Sequence, residues 1–171
     1  MFSRESWHLP MWAGAALILA VPAITMQFSK EIAWGIEDFL VVGALLAAVC
    51  GTIELALRTS TSALYRVGVA LAAIGGFLLV FVNLAIGIIG DEQNPKNLIF
   101  FAIPALGFLG ALIGRFKAAL LVKLLVIMAA LQLSTIFMAP AELLRVMIPF
   151  TGLFVGLWLL SALLIQRSIR P

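Results

Sequence analysis

The stretch that decides the fold is LYRVGVALAAIGGFLLVFVNLAIGIIGDEQNPKNL, which runs from Leu64 to Leu98. Between Arg66 and Asp91 lie 24 residues without a charge, and Asn83 is the one side chain among them with strong hydrogen-bonding capacity. At about 1.5 Å per helical residue, this run is longer than the roughly 30 Å hydrocarbon core of a bilayer. It predicts a complete, tilted transmembrane helix that begins beside a basic residue and ends at acids.

Composition places the whole chain in the same class. Apolar residues make up 64% of the 171 residues and charged residues only 11%. Ordinary soluble domains carry about 25% charged residues. Because so few polar groups cannot cover a core with a hydrated surface, we expect an all-α, polytopic transmembrane helical bundle. It forms a single membrane-embedded domain over residues 1–171.

Polar interruptions divide the chain into six predicted spans, at about 11–27, 38–58, 64–90, 98–114, 118–138 and 146–166. The break at Arg115 is short, and five spans are the alternative if its two flanking spans are continuous. Before the fourth span, Asn94 and Pro95 indicate a turn or a helix start, and Asn97 is a further cap.

The Lys and Arg residues predict the orientation. With six spans and a cytoplasmic N-terminus, eight of the 11 basic residues lie on the cytoplasmic side and three lie outside. The positive-inside rule therefore favours both termini in the cytosol. Because the basic residues lie at helix ends, the net charge of +3 reflects topology, and we expect the lipid bilayer rather than nucleic acid as the partner.

Small residues predict how the spans pack. Gly110 and Gly114 form a GxxxG pair in the fourth span, and Gly152 and Gly156 form another in the sixth. Such pairs let helix backbones approach closely where lipid removes the hydrophobic drive for association. Packing within the chain is the plainer interpretation, and a seam in a homo-oligomer or larger membrane complex is the alternative.

Glu54 is the one acid in the interior of a predicted span, since Asp38 stands at the first position of the second span. It lies one turn before Arg58, so an ion pair at the cytoplasmic rim is the plainer interpretation. An ionisable group inside a membrane is also a functional candidate. In the alternative interpretation, Glu54 takes up and releases a proton or holds a cation.

A second candidate ion or ligand site lies at the outer ends of spans three and five. Asn83 and Gln132 are expected at similar depth there, below four acids: Glu37, Asp38, Asp91 and Glu92. A ring of acids would concentrate cations at the mouth of a polar pocket. The competing interpretation is interhelical hydrogen bonding, worth roughly 0.6–2 kcal/mol per contact, beneath solvated loop acids.

The sequence contains no catalytic or metal-binding motif. His8 is the sole histidine and Cys50 the sole cysteine, and no GxSxG, HExxH, Walker A or CxxC pattern occurs. Nucleophilic dyads and zinc sites need pairs or clusters of such residues. We therefore expect a non-catalytic protein with no cofactor and no bound metal.

The segment VNLAIGIIGDEQNPKNL, residues 82–98, resembles a VNxAxGIIGxExNPxNL-like segment of small uncharacterised bacterial inner-membrane proteins. In that family the segment follows a Tyr-Arg pair, which matches Tyr65 and Arg66 here. The likeness covers roughly residues 10–130, with Ile86 and Lys96 standing where Val and Ala are usual. The resemblance implies an inner-membrane location and a fold rather than a reaction. It also selects the positions to test first, which are Glu54, Asn83, Glu92, Asn94 and Asn97.

Two functions are compatible with these observations. The first is a non-catalytic membrane protein, either an accessory subunit or a self-associating bundle, in which glycine faces and polar groups are structural. The second is a small transporter or channel for a cation or small solute, which uses Glu54 and the pocket around Asn83 and Gln132. A water-accessible cavity that joins these groups would favour transport, whereas dry helix contacts would favour the first function.

Overall fold

The computed structural model describes residues 8–28, 34–91 and 93–169. These ranges contain six long helices: α1 (His8–Phe28), α2 (Ile36–Thr59), α3 (Ala63–Ile86), α4 (Ile99–Ile113), α5 (Ala118–Ser134) and α6 (Leu144–Ile169). Short 3-10 turns extend α4 and α6 at their starts and α5 at its end. With those turns included, all six are long and apolar enough to cross a membrane, as in a multi-pass membrane protein. The predictions of an all-α fold and of six spanning helices are confirmed to that extent.

Four of the helices form a closed ring. α3 packs against α4, α4 against α5, α5 against α6, and α6 returns to α3. α2 packs on the outside of α3, and α1 packs on α2. Neighbouring helices are antiparallel: Gly110 of α4 faces Leu124 of α5, and Gly75 of α3 faces Trp158 of α6. α1 is peripheral, since Pro22 is its one buried residue.

The antiparallel order sorts the charges between the two ends of the bundle. One end, called the basic end, carries the described residues Arg58, Arg66, Arg115, Lys117 and Arg167. The opposite end, called the acidic end, carries Glu37, Asp38, Asp91 and Glu142 together with Lys96 and Arg145. The segregation predicted from the sequence thus holds for the described residues.

A strained turn separates α4 from α5 and excludes one continuous helix there. Arg115 has a φ of 50° and Phe116 a φ of 57°, a region that costs non-glycine residues about 1–2 kcal/mol each. The Phe116 side chain is buried, its N–H donates to the Ala111 carbonyl at 2.9 Å, and its carbonyl accepts from the Tyr65 hydroxyl at 2.6 Å. These contacts hold the turn, so the five-span alternative is wrong as a description of the helices.

α3 ends at Ile86, four residues before the predicted end of its span at 90. Gly87 has a φ of 60° and Gly90 a φ of 79°, in the left-handed region that glycine adopts readily. The chain therefore turns back over the bundle in the α3–α4 loop. Ile89 of this loop is buried against the core at 1% exposure.

Large apolar side chains fill the interior of the ring. Phe100 of α4 packs edge-on against Phe150 of α6, with ring centroids 6.3 Å apart. The Phe154 ring is tilted against Phe150 with its centroid 4.8 Å away, and the Trp158 ring is tilted against Phe154 at 6.3 Å. Many other large apolar side chains point outwards, including Leu17, Leu40, Ile113 and Leu153. Lipid accommodates such an exterior, which soluble monomers rarely expose on this scale.

Candidate functional site

Glu54 lies near the C-terminus of α2 and is held in a small charged cluster at the basic end. Its carboxylate accepts a hydrogen bond from the Arg58 guanidinium one turn later. The other carboxylate oxygen lies 3.6 Å from Nδ1 of His8, which α1 brings alongside. The ion pair with Arg58 was expected from the spacing, but His8 was not, because it is 46 residues away in the chain.

Asn83 and Asn97 meet at the acidic end and fasten the α3–α4 loop. The Asn83 amide donates to the Asn97 carbonyl at 3.2 Å and accepts from the Ile88 N–H at 3.4 Å. The Asn97 side chain accepts from the Ile89 N–H at 2.8 Å and donates to the Asp91 carbonyl at 2.7 Å. Both amides are buried. Their hydrogen bonds replace those that the backbone loses where α3 stops.

Asn97 therefore does not cap α4, whose N-cap position is Leu98 without a side-chain bond. Asn94 caps the 3-10 turn Pro95–Leu98 by accepting from the Lys96 N–H at 3.0 Å, and Pro95 occupies its first position.

Two of the described acids at the acidic end accept hydrogen bonds from nearby backbone. Asp38 accepts from the Gly35 N–H at 2.8 Å, and Asp91 accepts from the Gln93 N–H at 3.0 Å. Glu37 and Asp38 occupy the first turn of α2, where the helix dipole favours negative charge. Glu92 lies outside the described residues. The proposed ring of acids thus includes carboxylates that cap turns and a helix.

Gln132 is fully buried in the last turn of α5, yet its amide has no hydrogen-bond partner among the described residues. Three residues later, the Thr135 hydroxyl donates to the Gln132 carbonyl at 2.7 Å and lies 3.4 Å from the Thr151 hydroxyl of α6. Asn83 makes no hydrogen bond to Gln132 in the described structure, since its amide is committed to the loop.

The candidate residues do not form one continuous site. Asn83 lies 20 residues into α3 from the basic end, which is about 30 Å along a helix axis, whereas Glu54 lies near that basic end. Leu79 and the aromatic side chains of Phe100, Phe154 and Trp158 fill the ring between the two ends. Asn83, Asn97, Asp38 and Asp91 satisfy backbone atoms and Glu54 binds Arg58, whereas the buried Gln132 amide has no partner in the described structure.

Sequence reasoning missed three buried polar groups of α6: Thr151, the Trp158 indole and Ser161. The indole N–H and the Ser161 hydroxyl lack a hydrogen-bond partner in the described structure. The signal was present, because residues 151, 154, 158, 161 and 165 recur at the spacing of one helix face.

A cavity of about 310 Å³ lies beside α3, between α2 and α4, and reaches the start of α5. Its lining is almost wholly apolar; Thr52 is the one hydroxyl-bearing side chain, and it donates to the Ala48 carbonyl at 2.7 Å. Phe116 closes the cavity towards the basic end, and Ala105 and Phe108 lie at its exposed outer edge. None of the predicted ion-site residues lines it.

The two GxxxG pairs differ in their surroundings. A Cβ atom built on Gly110 would lie 2.7 Å from Leu124 of α5, and one on Gly114 would lie 2.1 Å from Leu120. That pair therefore serves packing within the chain. A Cβ atom on Gly152 or Gly156 of α6 would meet nothing within 4 Å in the described structure.

Comparisons with family models, curated proteins and solved structures gave no match to this chain. The resemblance in residues 82–98 therefore stays a prediction.

Proposed function

We propose that this chain is a non-catalytic, self-associating protein of the bacterial inner membrane, with both termini in the cytosol. The observation that carries the proposal is the contrast between its two GxxxG pairs. The pair in α4 is filled by leucines of α5, whereas the Gly152–Gly156 pair is exposed on the outside of α6. In lipid, a helix face of this kind lets a second helix approach closely.

The surroundings of the polar groups favour this function over transport. A permeation path needs polar or hydrated groups along its length. Here Asn83 binds loop backbone, Glu54 binds Arg58, and the ring interior between them is filled mainly by apolar side chains. Its buried polar groups on α6, Thr151, the Trp158 indole and Ser161, are separated by such side chains and form no hydrogen-bonded chain in the described structure. The surface left for function is the outer one, which contacts lipid and other membrane proteins. An accessory subunit would use that same surface.

The oligomeric state tests self-association. We expect purified protein to sediment as a dimer. Gly152→Leu/Gly156→Leu should raise the dissociation constant of that dimer at least about tenfold, because leucines hold the backbones apart. Gly51→Leu is the matched control, since its Cβ would also meet nothing within 4 Å but lies on α2. Oxidative cross-linking of Gly156→Cys in a Cys50→Ser background repeats the measurement in native membranes. A wild-type monomer in both assays would overturn the proposal.

Liposome flux tests the competing function. We expect wild-type protein, Glu54→Gln and Asn83→Ala to leak K⁺ and protons no faster than protein-free vesicles. Flux above that background in wild type, lost in Glu54→Gln while folding is retained, would establish a carrier in place of the proposed role.

A further inference from the structure

We propose that the apolar cavity between α2 and α4 described above, called the groove, holds an acyl chain of an anionic phospholipid. The phosphate of that lipid is bound by Arg115 and Lys117. This site lies on a different face from the α6 glycines, so it stands or falls independently of self-association.

The groove has the size and chemistry for a hydrocarbon chain. Its volume of about 310 Å³ falls within the roughly 300–1,000 Å³ of ligand pockets. It is about twice an apolar cavity of roughly 150 Å³ that stays dry and binds benzene. Its walls are alanines and larger apolar side chains, among them Ala48, Ala72, Phe77 and Leu125.

The outer edge of the groove is open to the apolar exterior of the bundle. Ala105 and Phe108 line the groove and are exposed on α4. A chain leaving the bilayer gains nothing from the hydrophobic effect, because lipid tails are as apolar as leucine. Filling the groove instead gains dispersion contacts that its walls otherwise lack. Selectivity must therefore come from the headgroup.

The strained turn places two cations where that headgroup would lie. Phe116 inserts into the end of the groove, while Arg115 and Lys117 on either side of it are exposed. Neither cation forms an ion pair or a side-chain hydrogen bond within the described residues. A non-glycine turn of this kind persists only when its surroundings impose it.

Two other cations at the basic end are already engaged within the chain. Arg58 binds Glu54, and Arg66 donates to the Ser60 carbonyl at 2.7 Å and the Leu57 carbonyl at 3.2 Å. α5 begins at Ala118 without a side-chain cap, so its first N–H groups add positive potential beside Lys117. The free positive charge at this end of the groove complements a lipid phosphate.

Native mass spectrometry of delipidated protein with defined lipids tests the headgroup. We expect wild type to bind one phosphatidylglycerol more tightly than phosphatidylethanolamine of the same chains, and Arg115→Gln/Lys117→Gln to lose the preference. The expected loss is about fivefold per charge, or roughly thirtyfold for both. The control Arg145→Gln/Arg167→Gln removes two charges away from the groove: Arg145 lies at the acidic end, and Arg167 lies on the face of α6 opposite Ile165, which lines the groove. Equal binding of both lipids by wild type, or equal loss in the control, would overturn the assignment.

Larger side chains in the groove lining test whether the groove holds the acyl chain. We expect Ala48→Phe/Ala105→Phe to abolish binding of both lipids, whereas Ala47→Phe/Ala102→Phe, on positions outside the groove lining, leaves binding unchanged. If the first variant does not fold, Ala105→Phe alone serves, because Ala105 is exposed. Glycerol phosphate, which has no acyl chains, should bind neither wild type nor the variant with the filled groove. Lipid binding that survives the filled groove, or chain-free glycerol phosphate binding as tightly as the lipid, would sink the proposal.

Discussion

Asn97 shows how a single amide directs the backbone at the residue scale. The sequence marked it as a cap for the next helix, but its side chain reaches back to Ile89 and Asp91. It thereby satisfies a loop that lies over the apolar core, where unpaired N–H and C=O groups are costly. Asn83 supports the same loop from the end of α3.

We expect Asn97→Ala to lower the free energy of unfolding by about 1–3 kcal/mol for each buried group left unpaired. Hydrogen exchange at the Ile89 amide should accelerate at the same time. Asn94→Ala is the control: it removes an exposed cap worth about 1 kcal/mol and should leave the Ile89 amide protected. Unchanged Ile89 exchange in Asn97→Ala would contradict the role assigned to the side chain.

Gln132 gives the opposite prediction, because its buried amide lacks a partner in the described structure. Replacing an unsatisfied buried amide by an apolar group of similar shape removes a desolvation cost of about 1–3 kcal/mol. We therefore expect Gln132→Leu to raise the thermal midpoint in detergent. Gln132→Ala should lower it, because it leaves a cavity. A lower midpoint in Gln132→Leu would mean that the amide binds a water or another group.

At the scale of helices, the glycines of the ring act as spacers that set helix separation. A Cβ atom on Gly68 of α3 would lie 2.7 Å from Ile165 and 3.0 Å from the Ser161 carbonyl of α6. The carbonyl belongs to the backbone and cannot rotate away. The two helices must therefore move apart to admit even one methyl group.

We expect Gly68→Ala to destabilise the protein by about 1–3 kcal/mol, the usual cost of overpacking. Gly51→Ala is the matched control, because its Cβ would meet nothing within 4 Å, it lies on α2 away from the proposed self-association surface, and alanine favours the helix. Unfolding in mixed detergent micelles measures both. Equal stability of the two variants would show that α3 and α6 adapt at this contact.

At the scale of the whole molecule, the up-and-down order of six helices brings the start of α1 and the end of α6 to the same side. Most of the described basic residues collect at that side, where α2, α4 and α6 end. The positive-inside rule predicts that this end lies in the cytosol. In this proposed orientation the groove between α2 and α4 would open towards the cytoplasmic leaflet, in which anionic headgroups contribute the negative surface potential.

Fusions at the C-terminus test this orientation in bacterial cells. We expect a C-terminal green fluorescent protein to fluoresce and a C-terminal alkaline phosphatase to be inactive, because the first matures in the cytosol and the second in the periplasm. The opposite pair of results would place the basic end outside, against both the orientation and the leaflet proposed for the groove.

The helices could be predicted because their hydrogen bonds are local. In lipid each span satisfies its own backbone, so an uncharged run such as residues 67–90 already indicates a helix, and the charges at its ends indicate its limits. The error at the end of α3 has the same origin. Gly87 and Gly90 are as apolar as their neighbours, and only their backbone conformation shows that the helix has stopped.

The side-chain environments could not be predicted, because they depend on which helix faces meet. His8 reaches Glu54, Gln132 is left without a partner, and one GxxxG pair is filled while the other stays open. Each outcome depends on the shapes of side chains from segments far apart in the chain. Hydropathy describes how a residue interacts with lipid, but it carries no information about which residue packs opposite. Only the folded bundle supplies that, through close packing and the pairing of buried polar groups.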